Sequence, residues 1–483
     1  MVNSSEIEDI HSASLEVLET IGLSVNSERI LTIFKEAGAE IDEKQTVKIP
    51  QHIVKESLMK TPEQVKLFGR NSKYDLVAGG KRVHFGMGGT PVPYIRDIDT
   101  GEFRQPTRRD MAEATRLGDA LQNMSFLMTT AAAYDVPNGM EYEYEWEILL
   151  NNTVKPIVYI APGYETSKVI LAMASAVAGG EKEMKRKPMI AVYADLTSPL
   201  FFSKDNEDIV AFAEAGMPVV IGAAAHTALT APVTVSGSLV VSNAENLAAL
   251  ALTQLVNPGT PFVYAAEVNA IDPMTARIPY GDPERAMTTG PVNAQLAEFY
   301  RLPSMGYSGC TDSKVPDAQA GAEVMMLSLM SALSGVNLIH DCGYLSSGEA
   351  GSLEMAVICD EVISMVYRII KGFDVNDETL AVDVIREVGP RGSFLGHKHT
   401  LKYVREEIYR PRLFDRSKKE TWTKAGRKTI LEVARLKVKE ILSKHQPEPL
   451  PEDLRQRLNQ IVKKSGEEKI GKEVGRLENK TFN

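Results

Sequence analysis

Apolar positions follow two rhythms along this chain. Near the N-terminus Ile7, Ile10, Ser14, Leu15, Leu18 and Ile21 recur at helical spacing, which predicts an amphipathic helix. Ser5 with Glu8 reads as its capping box and Gly22 as its stop. Residues 23–105 read as mixed short helices and strands, with turns at Gly69-Arg70-Asn71 and Gly79-Gly80. From about residue 107 the pattern alternates. Short apolar runs at 124–134, 155–161, 188–194, 217–225, 261–267, 303–308 and 336–341 are separated by helical segments. Runs such as Ile157-Val158-Tyr159-Ile160 lack the polar alternation of a half-exposed strand, so they read as strands covered on both faces. Ser242 with Glu245, Pro283 and Pro316 mark helix starts, and Gly216, Gly335 and Gly372 mark stops. Strand–helix alternation builds a parallel sheet with right-handed crossovers. Seven such units are clear. The run Arg82-Val83-His84-Phe85-Gly86, before a helix that Thr107 and Asp110 would cap, is the candidate for an eighth. Eight units close a (β/α)8 barrel and seven leave an open sheet; the rhythm alone does not choose. Residues 398–483 are helical and charged; within them 443–483, poor in aromatics and interrupted by Pro447, Pro449 and Pro451, read as a surface arm or partner contact, with a solvated helical tail as the alternative.

Composition narrows the classes. The 483 residues are 43% hydrophobic and 24% charged, the globular range, with enough chain to bury a large core. A net charge of −10, from 54 basic and 64 acidic residues, argues against non-specific nucleic-acid binding, which needs basic surface. Three cysteines, Cys310, Cys342 and Cys359, without Cys-x-x-Cys spacing, read as a reducing compartment. The opening residues lack the apolar core of a signal peptide. The apolar stretches carry Asn, Thr and Gly at short intervals, so no membrane span is expected. The expectation is a cytoplasmic protein with neither nucleic acid nor membrane as partner. Gly86-Met87-Gly88-Gly89 lacks the Lys-Ser/Thr of a P-loop, and no Gly-x-Ser-x-Gly elbow occurs.

Several motifs exceed what periodicity explains. They are Ile10-His11-Ser12-Ala13-Ser14-Leu15-Glu16; Asp272-Pro273-Met274-Thr275 with Tyr280-Gly281-Asp282-Pro283-Glu284; and Thr311-Asp312-Ser313-Lys314 with Asp317, Gln319, Gly321 and Glu323. A last set is Gly396-His397-Lys398-His399-Thr400, Arg405-Glu406, Pro411-Arg412-Leu413-Phe414-Asp415-Arg416 and Trp422. In this order they resemble the trimethylamine methyltransferase family, corrinoid-dependent enzymes that demethylate methylamines. The resemblance implies a TIM-type (β/α)8 barrel over 81–400, an N-terminal α+β segment over 1–80 and a C-terminal helical extension over 401–483. It also implies a cobalamin (corrinoid) cofactor on a cognate corrinoid protein, with none bound tightly to this chain, and a homo-oligomeric assembly. The nearest match here to the base-off cobalamin motif Asp-x-His-x-x-Gly is Asp9-Ile10-His11-Ser12-Ala13-Ser14. It ends in Ser within an amphipathic helix. The family's founding enzymes carry pyrrolysine. Every position here is an ordinary residue, which fits the branch resembling glycine betaine enzymes.

In such a barrel, reactive groups gather at the carboxyl ends of strands. Reading those ends gives tyrosines and carboxylates, and no lysine in a nucleophile-like setting. A quaternary ammonium has no N–H to donate, so it is recognised by ring faces and diffuse negative charge. The expected substrate-binding set is Tyr94, Tyr134, Tyr264 and Tyr307 as ring faces, Glu267 near the cation, and His226 and His340 at its polar end. Each tyrosine has the alternative of a core residue with a satisfied hydroxyl, and each histidine that of a structural or metal-bound one. His397 and His399 read as structural or rim residues. No metal is expected. Three functions stay open: a quaternary-amine:corrinoid methyltransferase, a metal-dependent methyltransferase on the same barrel, and a non-catalytic betaine-binding protein.

Overall fold

A computed structural model describes residues 2–481. Eight parallel strands form the centre: β1 His84–Met87, β2 Met124–Leu127, β3 Ile157–Tyr159, β4 Ile190–Leu196, β5 Val219–His226, β6, β7 Met305–Tyr307 and β8 Leu338–Cys342. Strand β6 is in two pieces, Phe262–Val263 and Ala266–Asn269. Each strand pairs with its neighbour in chain order, and β8 pairs with β1. A single bridge, Tyr264 to Ser304, joins β6 to β7 and completes the circle. The run around His84 thus supplies the eighth unit, and the barrel replaces the open sheet.

The residues explain why the circle closes where strand pairing is thin. At β6 the backbone is satisfied by helix side chains, as buried peptide groups require. Asn246 accepts from the Ala265 N–H at 3.0 Å and donates to its carbonyl at 2.9 Å. Asn293 accepts from Ala266 N–H at 3.0 Å and donates to the Met305 carbonyl at 2.8 Å, spanning the seam. Ser242 accepts from Glu267 N–H at 2.9 Å, and Ser331 donates to the Tyr307 carbonyl at 3.0 Å. Ser242 therefore lies inside the helix Val235–Val256 and does not open it, contrary to the sequence expectation. That helix is long and apolar enough to cross a membrane by composition alone. Here it is a barrel helix, with 78% of its most apolar window buried. Pro283 does start its helix, while Ala318–Ser334 is capped by Asp317, one residue after Pro316. Gly216, Gly335 and Gly372 stand at helix ends as expected.

The N-terminal helix is Ser4–Glu16, and its capping box is Asn3 with Glu6, two residues earlier than the expected pair. It continues as a π turn, Val17–Ile21, and stops at Gly22, whose φ is +80°. A Cβ there would stand 2.5 Å from the Val47 carbonyl oxygen. Helix Ser4–Glu16 is pinned to helix Val235–Val256 by Asn243, which donates to Ser14 Oγ at 2.9 Å. After the eighth barrel helix, Leu353–Lys371, the chain runs through residues 372–429 without one buried side chain. Leu395 and Phe373 are largely exposed there. Helix Ile430–Lys444 then packs back on the barrel through buried Ala434 and Val438.

The closing family motif lies on this outer belt. Glu361 accepts from the backbone N–H of Arg412 and of Leu413, at 3.1 and 3.0 Å, and from the Tyr409 hydroxyl at 2.5 Å. Arg412 reaches Asp360 and Gln122. His397 caps helix Lys398–Glu407 by accepting from His399 N–H. These residues clamp the extension to the eighth helix.

Candidate active site

A small cavity of about 80 Å³ opens at the carboxyl ends of the strands, where barrel enzymes place their chemistry. Its walls are Tyr193 and Asp195 of β4, Ala224 of β5, Glu267 of β6, Tyr307 of β7, and His340 and Asp341 of β8. Loops add Thr90, Val92, Tyr280, Tyr344 and Gly348, and Arg285 enters from the helix after β6. The size suits a small solute and is far below the space a drug-sized ligand takes.

Arg285 organises the site. Its guanidinium lies over the Tyr280 ring at 4.0 Å and the Tyr307 ring at 4.2 Å. It bonds Asn269 Oδ1 and stands 2.8 Å from Glu267 Oε1 and 3.8 Å from Asp341 Oδ2. The side chain is fully buried, and its Nε and Nη2 lack an aligned acceptor. Despite the 2.8 Å contact, the Glu267 oxygen is off the N–H axis, so we read an ion pair more than a hydrogen bond. Glu267 also accepts from the Tyr307 hydroxyl and from Asn269 Nδ2 at 3.0 Å. The Tyr193 and Tyr307 hydroxyls are 3.0 Å apart. Burial pushes all of these phenols up in pKa, so they are neutral near pH 7.

His340 sits between the rings of Tyr307 and Tyr193, at centroid distances of 4.4 and 5.5 Å. Its Nδ1 is 2.9 Å from Asp341 Oδ1, out of line, and both ring nitrogens lack a partner. Asp341 adopts φ +73°, a left-handed conformation that Asp tolerates better than most residues. That turn aims its carboxylate at the cavity. Gly89 gives it room, since a Cβ there would stand 2.2 Å from Asp341 Oδ1. Gly222, opposite Asp195 in the ladder, likewise admits the Tyr193 hydroxyl, which a Cβ would meet at 2.1 Å.

The mid-chain motifs hold the lid of this cavity. Asp312 accepts from Tyr280 N–H at 2.7 Å, Gly281 N–H at 3.0 Å and the Ser347 hydroxyl at 2.7 Å. Glu323 accepts from the Thr311 hydroxyl and from Asp312 N–H. Tyr280 is thereby fixed over Arg285.

Of the expected residues, Glu267, Tyr307 and His340 share the cavity. His226 lies one step out, its Nδ1 3.3 Å from Asn269 Nδ2, with its pKa lowered mainly by burial. Tyr264 points outward from the barrel, and its hydroxyl donates to Asn243 at 2.8 Å. Tyr94, the first residue of the short strand Tyr94–Arg96, and Tyr134, on the loop after β2, are exposed and do not line the cavity. Sequence reading missed Arg285, Tyr280 and Tyr193 as cavity groups. Tyr193 was within reach, because residues two apart on a strand share a face and Asp195 directly follows the apolar run 188–194. Arg285 had only its place in the Asp282-Pro283-Glu284 motif to signal it. Among the described residues no group of three His, Cys, Asp or Glu side chains is arranged to hold a metal ion.

A parallel eight-stranded barrel with a polar cavity at the carboxyl ends of its strands defines a TIM-barrel enzyme for a small solute. More narrowly, the chain belongs to the trimethylamine methyltransferase (MTTB) family, whose sequence pattern matches residues 1–469. It is 38% identical to "Trimethylamine methyltransferase MttB" of Desulfitobacterium hafniense, over 96% of this chain and 94% of that protein. It is 35% identical to the protein of that name from Methanosarcina barkeri, over 96% and 95%. It is 32% identical to "Glycine betaine methyltransferase" of Desulfitobacterium hafniense, over 98% of each. Among solved structures, a dihydropteroate synthase from Xanthomonas albilineans overlaps 64% of this chain and 100% of its own at 14% identity, with a TM-score of 0.38.

Proposed function

We propose that this chain moves a methyl group from a quaternary amine, glycine betaine first among the candidates, to a corrinoid carried by a separate protein, leaving dimethylglycine. The observation that carries this is the charge of the cavity. Three carboxylates, Asp195, Glu267 and Asp341, share it with one guanidinium and with tyrosine rings, and no lysine lines it. Such a lining attracts a cation and offers no amine to form an adduct with it. A quaternary nitrogen already bears full charge, so attack on its methyl breaks the N–CH3 bond, the methyl passes to the acceptor, a neutral tertiary amine leaves with the electron pair, and no general acid is needed.

A corrinoid supplies a strongly nucleophilic cobalt(I) as methyl acceptor. A cavity of about 80 Å³ is far too small for a corrin ring, which supports an acceptor that approaches the mouth on another protein. The chain's part is to strip water from the cation and hold one N–CH3 bond toward that mouth, an orienting effect worth several kcal/mol. The rings of Tyr193, Tyr280 and Tyr344 line the cavity and would supply cation–π contact; Arg285 already covers one face each of Tyr280 and Tyr307. The unpartnered nitrogens of His340 would meet the carboxylate of a betaine.

A second reading, trimethylamine as substrate, is favoured by the higher identity to relatives bearing that name. One assay separates them. The purified chain is mixed with cob(I)alamin and, in turn, glycine betaine, carnitine, proline betaine, choline and trimethylamine, and corrinoid methylation is followed by absorbance. Turnover with glycine betaine is the expected result. Turnover with trimethylamine alone overturns it. Binding of betaine without any methylation points to a binding protein. One tightly held zinc per chain points to the metal-dependent alternative.

A further inference from the structure

Asp195 differs from the other carboxylates of the cavity. Glu267 and Asp341 stand beside Arg285, at 2.8 and 3.8 Å. Asp195 has no ion-pair or hydrogen-bond partner for its side chain among the described residues, yet its surface is open to the cavity. Its strand neighbour Tyr193 turns its hydroxyl to Tyr307, and its ladder neighbour Gly222 has no side chain to offer. Glu267 faces it across the cavity with a charge of its own sign, and Asp208 of the helix after β4 faces it with a carboxyl whose pKa burial raises well above the ordinary value. Tyr142 and Tyr193 also face it, and both are held neutral by burial. Arg285 is committed to Glu267 and Asp341. Beside Asp195, the same cavity holds two buried side chains with unpartnered polar atoms, His340 and Arg285. The unsatisfied buried nitrogens of His340 and Arg285, beside an open carboxylate without a counter-ion, mark a place built for a ligand.

We infer that Asp195 is the counter-charge for the substrate's ammonium, and that the cation enters by displacing a proton from this carboxyl. This rests on the cationic-substrate reading above. The balance is simple: the neutral acid and the cation become an ion pair, and one proton passes to solvent. Asp195 keeps an exposed surface in the cavity, but desolvation by the barrel around it and the Glu267 charge raise its pKa to about 7, so the empty site is partly protonated at neutral pH. The ammonium then supplies the positive charge that no protein group provides. The consequence is a specificity rule: the site measures charge at the position of Asp195, and a neutral molecule of the same shape lacks the partner that makes ionisation worthwhile.

The test is calorimetric and needs no corrinoid. Glycine betaine, tetramethylammonium and the uncharged-head isostere 3,3-dimethylbutyrate are titrated into the full chain at about pH 6.5, in buffers of different ionisation heat. The same titrations follow for Asp195→Asn. Wild type is expected to bind the cations, release a fraction of a proton per cation bound, and prefer glycine betaine to its isostere by about 10–100-fold, the span of a charge-assisted contact. In Asp195→Asn both the proton release and the preference should vanish, while the isostere binds as before. That last binding event also shows the variant folded. If wild type binds the cations and the Asn variant keeps its preference and proton release, the assignment of Asp195 is wrong and the substrate reading stands. If wild type binds neither cation, the substrate reading fails and the assignment falls with it.

Discussion

The Arg285 guanidinium is stacked on the Tyr307 ring at 4.2 Å, and the hydroxyl of that same tyrosine donates to Glu267, the carboxylate that Arg285 pairs with. The three groups form a closed triangle of stacking, hydrogen bonding and charge. Removing one corner leaves the other two buried and unsatisfied. Arg285→Ala leaves Glu267 and Asp341 without their cation, at a cost of about 3–5 kcal/mol. Arg285→Lys keeps the charge and loses the planar stack, so its loss should be smaller. Urea unfolding of the two variants checks the order; equal stability of both would mean that the charge pair does not hold the site.

Tyr280 and Tyr307 should respond differently to losing a hydroxyl. Tyr280 contributes a ring face over Arg285, so Tyr280→Phe should leave ligand affinity almost unchanged. Tyr280→Leu should weaken it by up to about thirtyfold, given that a cation–π contact contributes about 0.5–2 kcal/mol. Tyr307→Phe removes the bond to Glu267 and should cost about 1.5–3 kcal/mol. Ligand titrations of the three variants decide this. Equal damage from Phe and Leu at position 280 would rule out the ring face as its contribution.

The lid can be loosened without touching the cavity. Asp312→Ala frees the Tyr280 and Gly281 amides and Ser347 together. The expected outcome is a raised KM with nearly unchanged unfolding midpoint, seen by steady-state assay and thermal melts. A large drop in the midpoint would mean that Asp312 supports the whole barrel.

Glu145 gives a pH signature. Its carboxylate accepts from Tyr159 Oη at 2.6 Å and from Ala133 N–H at 3.1 Å, and burial raises its pKa to about 7. The folded chain therefore holds this proton more tightly than the unfolded chain. The resulting stability is full below the ordinary glutamate pKa of about 4.3 and is lost as pH rises through about 7. Glu145→Gln carries no such titration. Between about pH 5 and pH 8 wild type should lose more stability than the variant, by on the order of 2–3 kcal/mol. Parallel slopes in denaturant unfolding would contradict it.

On the belt, Glu361→Ala removes three acceptor contacts to residues 409–413. The expected result is faster proteolytic cleavage within 372–429 while ligand affinity is retained. Cleavage at the wild-type rate would show that other contacts hold the extension.

The order of the barrel was legible because buried parallel strands write themselves as uninterrupted apolar runs. The break in β6 was not, because Tyr264 and Ala265 are as apolar as the strand around them, and what replaces their pairing comes from Asn246 and Asn293 on helices. The cavity was half legible. Glu267, Tyr307 and His340 lie at strand ends where alternation places them. Tyr264 misled because a strand residue one step out of phase faces the helices. Arg285 escaped because nothing local marks an arginine in a helix's first turn as buried.

The seam between β6 and β7 has one further implication. Backbone pairing there is a single bridge, and the Tyr307 hydroxyl on Glu267 ties the same two strands from inside. The contact that shapes the cavity floor is thus also a clasp on the cylinder. Chemistry and architecture share these two side chains, so evolution cannot retune the acidity of the floor without renegotiating how the barrel stays shut.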